Sequence, residues 1–145
     1  MKDYNKAQSN GETYLAPIEG RVALQEVLTA ATTLTAADSG KTLILKAEAG
    51  KAVALPALAA GLFFKVVVGL AFGTSNWVFT ATSKVIFGGA IVNSVRVPSA
   101  GTKNTISFVN TAETLGDHVI LECDGTNWYV SGVGASAGSI TFTDV

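Results

Sequence analysis

Short apolar runs separated by turn residues recur along this chain at a spacing of about ten residues. The spacing is clearest between Leu34 and Val68, where the cluster ADSG precedes the run TLILKA, and the turn EAGK and the loop PALAAG separate it from the runs VAL and LFFKVVV. Runs this short and rich in β-branched residues are typical of strands, because a helix needs a longer stretch with a 3.6-residue period. The pattern therefore predicts an all-β domain rather than alternating strands and helices.

The same pattern predicts the individual strands. Arg21–Ala31, the one segment whose apolar positions also fit a helical period, is interpreted as a strand. Further strands are predicted over residues 32–35, 42–47, 53–55, 62–68, 76–81, 84–87, 90–92, 105–109, 118–123, 127–131 and 139–143. The pair Asp124–Gly125 predicts a tight hairpin. Residues 21–145 are expected to form a single-domain antiparallel β-sandwich or barrel-like fold, of jelly-roll or β-tulip type.

The first twenty residues differ from the rest of the chain. They are polar and contain strand-breaking residues, yet Tyr4, Tyr14, Leu15 and Ile18 are spaced among them. Such spacing favours an extended N-terminal arm, residues 1–20, whose apolar side chains order on a partner, over a frayed terminus. The segment lacks the apolar core of a signal peptide, and no apolar run reaches the length of a membrane helix. We therefore expect the chain to stay in the cytoplasm where it is made, with no membrane partner.

Low charge limits the partners that the chain can have. Charged residues make up 14% of the sequence, against about a quarter in an average soluble domain, and the net charge is −1. Nucleic-acid binding needs clustered Lys and Arg to replace the counterions of phosphates, so it is not expected. A weakly charged surface fits a protein covered by copies of itself or by a larger assembly, although a Thr-rich β surface explains the composition equally well.

Residue patterns that carry chemistry are incomplete. Gly40–Lys41–Thr42 resembles part of a phosphate-binding loop, but Thr35 stands where the leading glycine is required and a strand-like run follows. His118 is the single histidine, and the single cysteine, Cys123, is expected on the opposite face of the same strand. The candidate acids fit turn chemistry better than a hydrolytic pair or a calcium loop: Asp38, Glu48, Glu113, Asp117 and Asp124. No catalytic, cofactor or metal site is predicted, and the chain is not expected to be an enzyme.

The run AADSGKT, the run LPALAAGLFFKVVVG and the run LECDGTNWYVSG resemble a recurring β-domain of tailed-bacteriophage virion proteins, especially capsid decoration (cement) proteins. The likeness spans about Thr33 to Thr143 and rests on turn and core patterns rather than on catalytic motifs. It implies a homotrimer that binds the major capsid protein on the outside of an assembled shell and braces neighbouring capsomers. The implied location is the exterior of the virion capsid.

Related β-domains also occur in phage fibres, which leaves a second class of function open. In a fibre or receptor-binding module, exposed aromatic side chains stack on sugars, and Trp77, Trp128 and Tyr129 are the candidates. Burial in the core is the commoner fate of aromatic residues in strands. The exposure of these three side chains therefore bears directly on the alternative.

Overall fold

The computed structural model describes residues 24–145. It contains twelve strands: β1 (Gln25–Leu28), β2 (Thr32–Thr33), β3 (Thr42–Leu45), β4 (Ala52–Ala54), β5 (Ala60–Val68), β6 (Trp77–Thr80), β7 (Ile86–Val92), β8 (Val95–Lys103), β9 (Thr105–Phe108), β10 (His118–Asp124), β11 (Trp128–Gly134) and β12 (Ile140–Thr143). The helical content of this range is a single 3-10 turn, Ala36–Asp38. The predicted all-β fold is confirmed.

Two sheets pack face to face and enclose one core. The larger sheet has seven strands in the order β1-β3-β5-β10-β11-β7-β8, and the smaller has five in the order β12-β9-β6-β4-β2. Each sheet combines parallel and antiparallel pairs. The fold is therefore a β-sandwich with mixed sheets, in which parallel pairing accompanies the antiparallel pairing that hairpins provide.

The parallel pairs come from a coil in the first half of the chain. Strands β1 to β6 alternate between the two sheets. As a result β1, β3 and β5 pair side by side in the larger sheet, and β2, β4 and β6 pair side by side in the smaller one. Gln25 pairs with Thr42, and Thr42 pairs with Lys65, so each turn of the coil takes about twenty residues. The coil leaves β1 and β2 as the edge strands at one end of the sandwich.

The second half of the chain adds hairpins to this coil. β10 and β11 pair antiparallel around the predicted Asp124–Gly125 turn, which is confirmed. β7 and β8 form another hairpin, whose turn residues Asn93 and Ser94 both adopt positive φ, the conformation that a tight two-residue hairpin requires. The predicted terminal strand is confirmed as β12, at the edge of the smaller sheet.

Two expectations about this half were wrong. Gly88 and Gly89 were expected to separate two strands, but β7 runs through both and pairs with β11 along its whole length. Glycine is needed at position 88 because a Cβ there would collide with the carbonyl of Val130 on β11. β8 was not predicted, since Pro98 and Gly101 lie inside it. Proline is tolerated there because β8 is the edge strand of its sheet.

Aromatic side chains fill the space between the sheets. Trp128 packs against Phe64 with ring centroids 6.1 Å apart, and Phe79 packs edge-on against Phe108 at 6.3 Å. These rings are fully buried, as is Trp77. The inward-facing residues of each strand alternate with outward-facing ones, which fixes the side chains that remain available on the surface.

Candidate functional site: the outer face of the larger sheet

The solvent-exposed side of the seven-stranded sheet, called here the outer face, carries two rows of side chains that cross its strands. The first, the apolar row, follows the registered pairs from β1 to β8: Val27, Ile44, Val67, His118, Val133, Ile91 and Arg96. Val27, Val133 and Ile91 are each about half exposed. Isolated apolar residues on a surface are ordinary, whereas this row aligns five apolar side chains across the sheet, interrupted by His118 and ended by Arg96, and patches of this kind are frequent at interaction surfaces.

The second row, called the aromatic row, lies four residues farther along the strands. It comprises Phe63, Glu122, Tyr129, Phe87 and Ala100, paired in that order across β5, β10, β11, β7 and β8. The rings of Phe87 and Tyr129 lie 6.2 Å apart at an interplanar angle of 34°. Gly101 is required beside them, because a Cβ there would overlap the ring of Phe87.

A shallow depression lies at the Phe63 end of this row. Its volume is about 250 Å³, and Phe63, Glu122 and Tyr129 line it together with Ile120, Val130 and Ser131. The depression is therefore bordered by two half-exposed rings with a carboxylate between them. It can accept one side chain or one small ring from a partner, and it is too small for a drug-sized ligand.

Asp124 holds the ring of Tyr129 in position. Its Oδ1 accepts hydrogen bonds from the backbone N–H groups of Thr126 and Asn127, both at 2.7 Å, and its Oδ2 accepts one from the hydroxyl of Tyr129 at 3.0 Å. The bond from the Asn127 amide, followed by that from Thr126, lowers the pKa of Asp124. The carboxylate therefore stays ionised and fixes both the hairpin turn and the aromatic side chain.

Lys41 of the Gly–Lys–Thr motif is committed to two ion pairs. Its Nζ lies 2.7 Å from Oε2 of Glu26 and 2.7 Å from Oδ1 of Asp38. Asp38 also accepts hydrogen bonds from the N–H and hydroxyl of Thr35, and these contacts, Lys41 first, lower its pKa to about 2. A strand, β3, follows directly. The motif therefore belongs to the turn between β2 and β3, and it does not form the loop of backbone amides that binds a phosphate.

Two other predicted turn carboxylates, Asp117 and Glu113, also bond to backbone amides. Asp117 accepts hydrogen bonds from the backbone N–H groups of Thr114 and Ala135, each at 2.9 Å, and Glu113 accepts one from the N–H of Phe72. His118 lies in the apolar row, whereas Cys123 is buried on the opposite face, as predicted. Among residues 24–145, no three His, Cys, Asp or Glu side chains are grouped so that they could hold a metal ion.

The predicted aromatic candidates for sugar stacking differ in exposure. Trp77 and Trp128 are fully buried between the sheets, so their assignment to a stacking surface was wrong. Both face inward because they alternate with outward-facing neighbours in β6 and β11. Tyr129 lies on the outer face and is 44% exposed.

The outer face itself was missed by sequence reasoning. The signal was present in the alternation of runs such as LFFKVVV, in which Phe63 must face away from Phe64. Joining such residues into rows requires the strand register, which a single sequence does not contain. The proposed arm residues Tyr4, Tyr14, Leu15 and Ile18 lie outside the described residues.

Within residues 24–145, no helix is long and apolar enough to cross a membrane. A search for similar proteins gave no match to this chain among protein-family models, curated proteins or solved structures.

Proposed function

We propose that this chain is a structural protein of a bacteriophage virion, which binds the outside of an assembled capsid as a homotrimer and holds neighbouring capsomers together. The observation that carries the proposal is the outer face, where five apolar side chains line up across the sheet and three aromatic side chains lie in a second row. The resemblance of the turn and core segments to capsid decoration proteins supplies the virion and names the major capsid protein as the partner.

The size of the outer face suits this role. Six spacings between seven strands give a width of about 29 Å, and strands of seven residues give a length of about 23 Å. A flat area on the order of 700 Å² is close to the roughly 800 Å² that each partner contributes to a stable protein interface. One such face on each subunit is therefore sufficient for a specific contact.

Cementing follows from selective binding. A protein that binds the assembled shell and not its free subunits shifts the equilibrium toward the shell by mass action. Many copies, each adding a modest interface, raise the total stabilisation without requiring a tight single contact.

The experiment measures binding to assembled shells after changes to the face and to the arm. Replacing the paired residues Ile91 and Val133 with Glu places two charges in the apolar row, so we expect binding to weaken at least tenfold while the unfolding transition is kept. Thr33→Glu, on an exposed position of the smaller sheet, is the matched control. Deleting residues 1–20 is expected to weaken binding with the β domain still folded. Binding that survives the Ile91 and Val133 changes contradicts the assigned face, and binding that survives the deletion contradicts the arm.

A receptor- or carbohydrate-binding fibre module is the second candidate function, and the exposure of Tyr129 on the aromatic row favours it. The ring is held by Asp124 and borders a depression that also contains a carboxylate. A glycan array distinguishes the two functions, since a sugar-binding module gives selective glycan binding that is lost in Tyr129→Ala. No glycan binding together with binding to empty capsids decides for the cement protein.

A further inference from the structure

His118 is the titratable side chain inside the apolar row. It lies on β10, with Val67 of β5 opposite on one side and Val133 of β11 opposite on the other. It is partly exposed, and it is the single histidine of the chain. Histidine is the side chain whose charge ordinarily changes between pH 5 and pH 8. A change of pH within this range therefore changes the charge in the middle of the row.

The hydrogen bond of the ring shows which nitrogen takes up the proton. Nδ1 of His118 lies 3.1 Å from the carbonyl oxygen of Gly116. A carbonyl oxygen only accepts, so Nδ1 carries the hydrogen of the neutral ring and Nε2 is the nitrogen that gains a second one. Protonation therefore adds a positive charge to the row and keeps the bond that orients the ring.

The neighbours of His118 on the outer face supply no negative charge. The side chains opposite it, next along its strand and diagonal to it are Val67, Val133, Ile120, Lys65 and Ser131. Glu122 is four residues farther along β10, which is about 13 Å away. The carboxylates of the loop that precedes β10, Glu113 and Asp117, accept hydrogen bonds from backbone amides. A charge on His118 is therefore compensated by water rather than by a carboxylate of this face.

Covering the row removes that water. A neutral imidazole between two valines loses little when a partner covers it, because its Nδ1 hydrogen keeps the carbonyl of Gly116. An imidazolium at the same place becomes a buried charge without a partner, which is costly. The neutral form is therefore bound more tightly than the charged form, and binding must in turn favour loss of the proton.

We propose that His118 makes binding to the assembled shell dependent on pH, with tight binding by the neutral imidazole and release when it is protonated. The inference rests on the proposed function and adds regulation to the same face. The turns of the fold do not titrate in this range, because hydrogen bonds lower the pKa of Asp124 and, led by the one from Lys41, the pKa of Asp38 to about 2.

The test compares binding to empty assembled shells at pH 8 and pH 5.5, by co-sedimentation over a concentration series. The parent is expected to bind about tenfold more weakly at pH 5.5, since most imidazoles are protonated there and few are at pH 8. In His118→Gln the ratio of the two affinities is expected to be close to one, whatever the affinity at pH 8. Combining His118→Gln with Thr33→His moves the histidine to an exposed position of the smaller sheet, and the ratio should stay close to one.

Calorimetry supplies a second measurement of the same coupling. Binding at pH 6.5, followed in two buffers of different ionisation enthalpy, is expected to release protons from the parent and fewer from His118→Gln. Circular dichroism at both pH values checks the fold, and His118→Thr replaces His118→Gln if that variant does not fold. A parent that unfolds at pH 5.5 refutes the inference, because the fold rather than the row would then cause the release.

The outcomes separate this inference from the proposed function. A parent that binds no shells at either pH refutes both. Equal binding by the parent at the two pH values, or tighter binding at pH 5.5, refutes the role of His118 while the proposed function stands. The same conclusion follows if the parent and His118→Gln have equal ratios, since groups on the shell would then be the ones that titrate.

Discussion

Phe63 and Phe64 are adjacent residues of the same type whose environments are opposite. Phe64 faces the core and is fully buried against Trp128, whereas Phe63 faces outward and is 36% exposed. Replacing Phe64 with Ala removes a buried ring and leaves a cavity, which costs about 3–5 kcal/mol. Replacing Phe63 with Ala opens no cavity and removes only cross-strand contacts, so the expected cost is about 1 kcal/mol.

Urea unfolding followed by tryptophan fluorescence measures both variants. Trp77 and Trp128 are buried, so unfolding moves both fluorophores into water. With a slope of about 1.5 kcal/mol per molar urea, the Phe64→Ala midpoint is expected to fall by roughly 2–3 M and that of Phe63→Ala by less than about 1 M. Since a domain of this size has only about 5–15 kcal/mol of stability, Phe64→Leu provides a milder variant in case Phe64→Ala does not fold.

We expect the two positions to rank in the opposite order for binding, with the larger effect at Phe63. Phe63→Ala is expected to weaken assembly or capsid binding, because Phe63 borders the depression on the outer face. Phe64→Leu is expected to retain binding wherever it remains folded. A Phe63→Ala variant that loses at least as much stability as Phe64→Ala would mean that β5 is displaced by one residue, which exchanges its two faces and refutes both rows.

Two further predictions concern the turn between β2 and β3 and the close approach of β7 to β11. The pKa of Asp38 is lowered from 3.8 to about 2, so its carboxylate contributes stability above pH 4 that is lost as the pH falls through about 2. Because the group is partly exposed, we discount the contribution to about 1 kcal/mol, and the difference in urea midpoint between the parent and Asp38→Asn should shrink between pH 5 and pH 2. An unchanged difference would contradict the assigned ion pair. Gly88→Ala should destabilise the fold by more than about 2 kcal/mol, through its positive φ and the carbonyl of Val130, whereas Gly73→Ala, with open space around it, should change stability by less than about 1 kcal/mol. Equal effects at the two glycines would contradict the close approach of β7 and β11.

Local sequence patterns predict most strands of this fold because alternation and turn residues act over a few positions. The hairpin at Asp124–Gly125 and the buried state of Cys123 follow from such patterns. The pairing of β1, β3 and β5 does not, because parallel partners lie about twenty residues apart and nothing local encodes which strand is the neighbour. Successive strands that are placed in the two sheets in turn have the same sequence pattern as successive strands that pair as hairpins.

The missed edge strand and the missed outer face have related causes. Pro98 weakens a strand prediction in general, and is acceptable in β8 because the edge needs no amide on its open side. Phe87 and Ile91 read as core residues in sequence, because apolar residues in strands usually face inward. Their exposure becomes visible only once β7 is placed between β11 and β8.

The proposed arm precedes β1 in the sequence, and this affects how the tests of the arm and of the outer face are interpreted. The chain enters the described fold at Leu24, directly before β1, and Val27 of β1 is the first member of the apolar row. Deleting residues 1–20 therefore changes the chain next to the face as well as removing the arm. Val27→Glu with the arm present is the variant that separates the two effects, since it charges the row and keeps Tyr4, Tyr14, Leu15 and Ile18. If Val27→Glu binds shells as the parent does while the deletion variant does not, the arm itself makes the contact. If Val27→Glu and the deletion weaken shell binding by the same amount, and each loss adds to that of Ile91→Glu, the β1 end of the face is part of the interface.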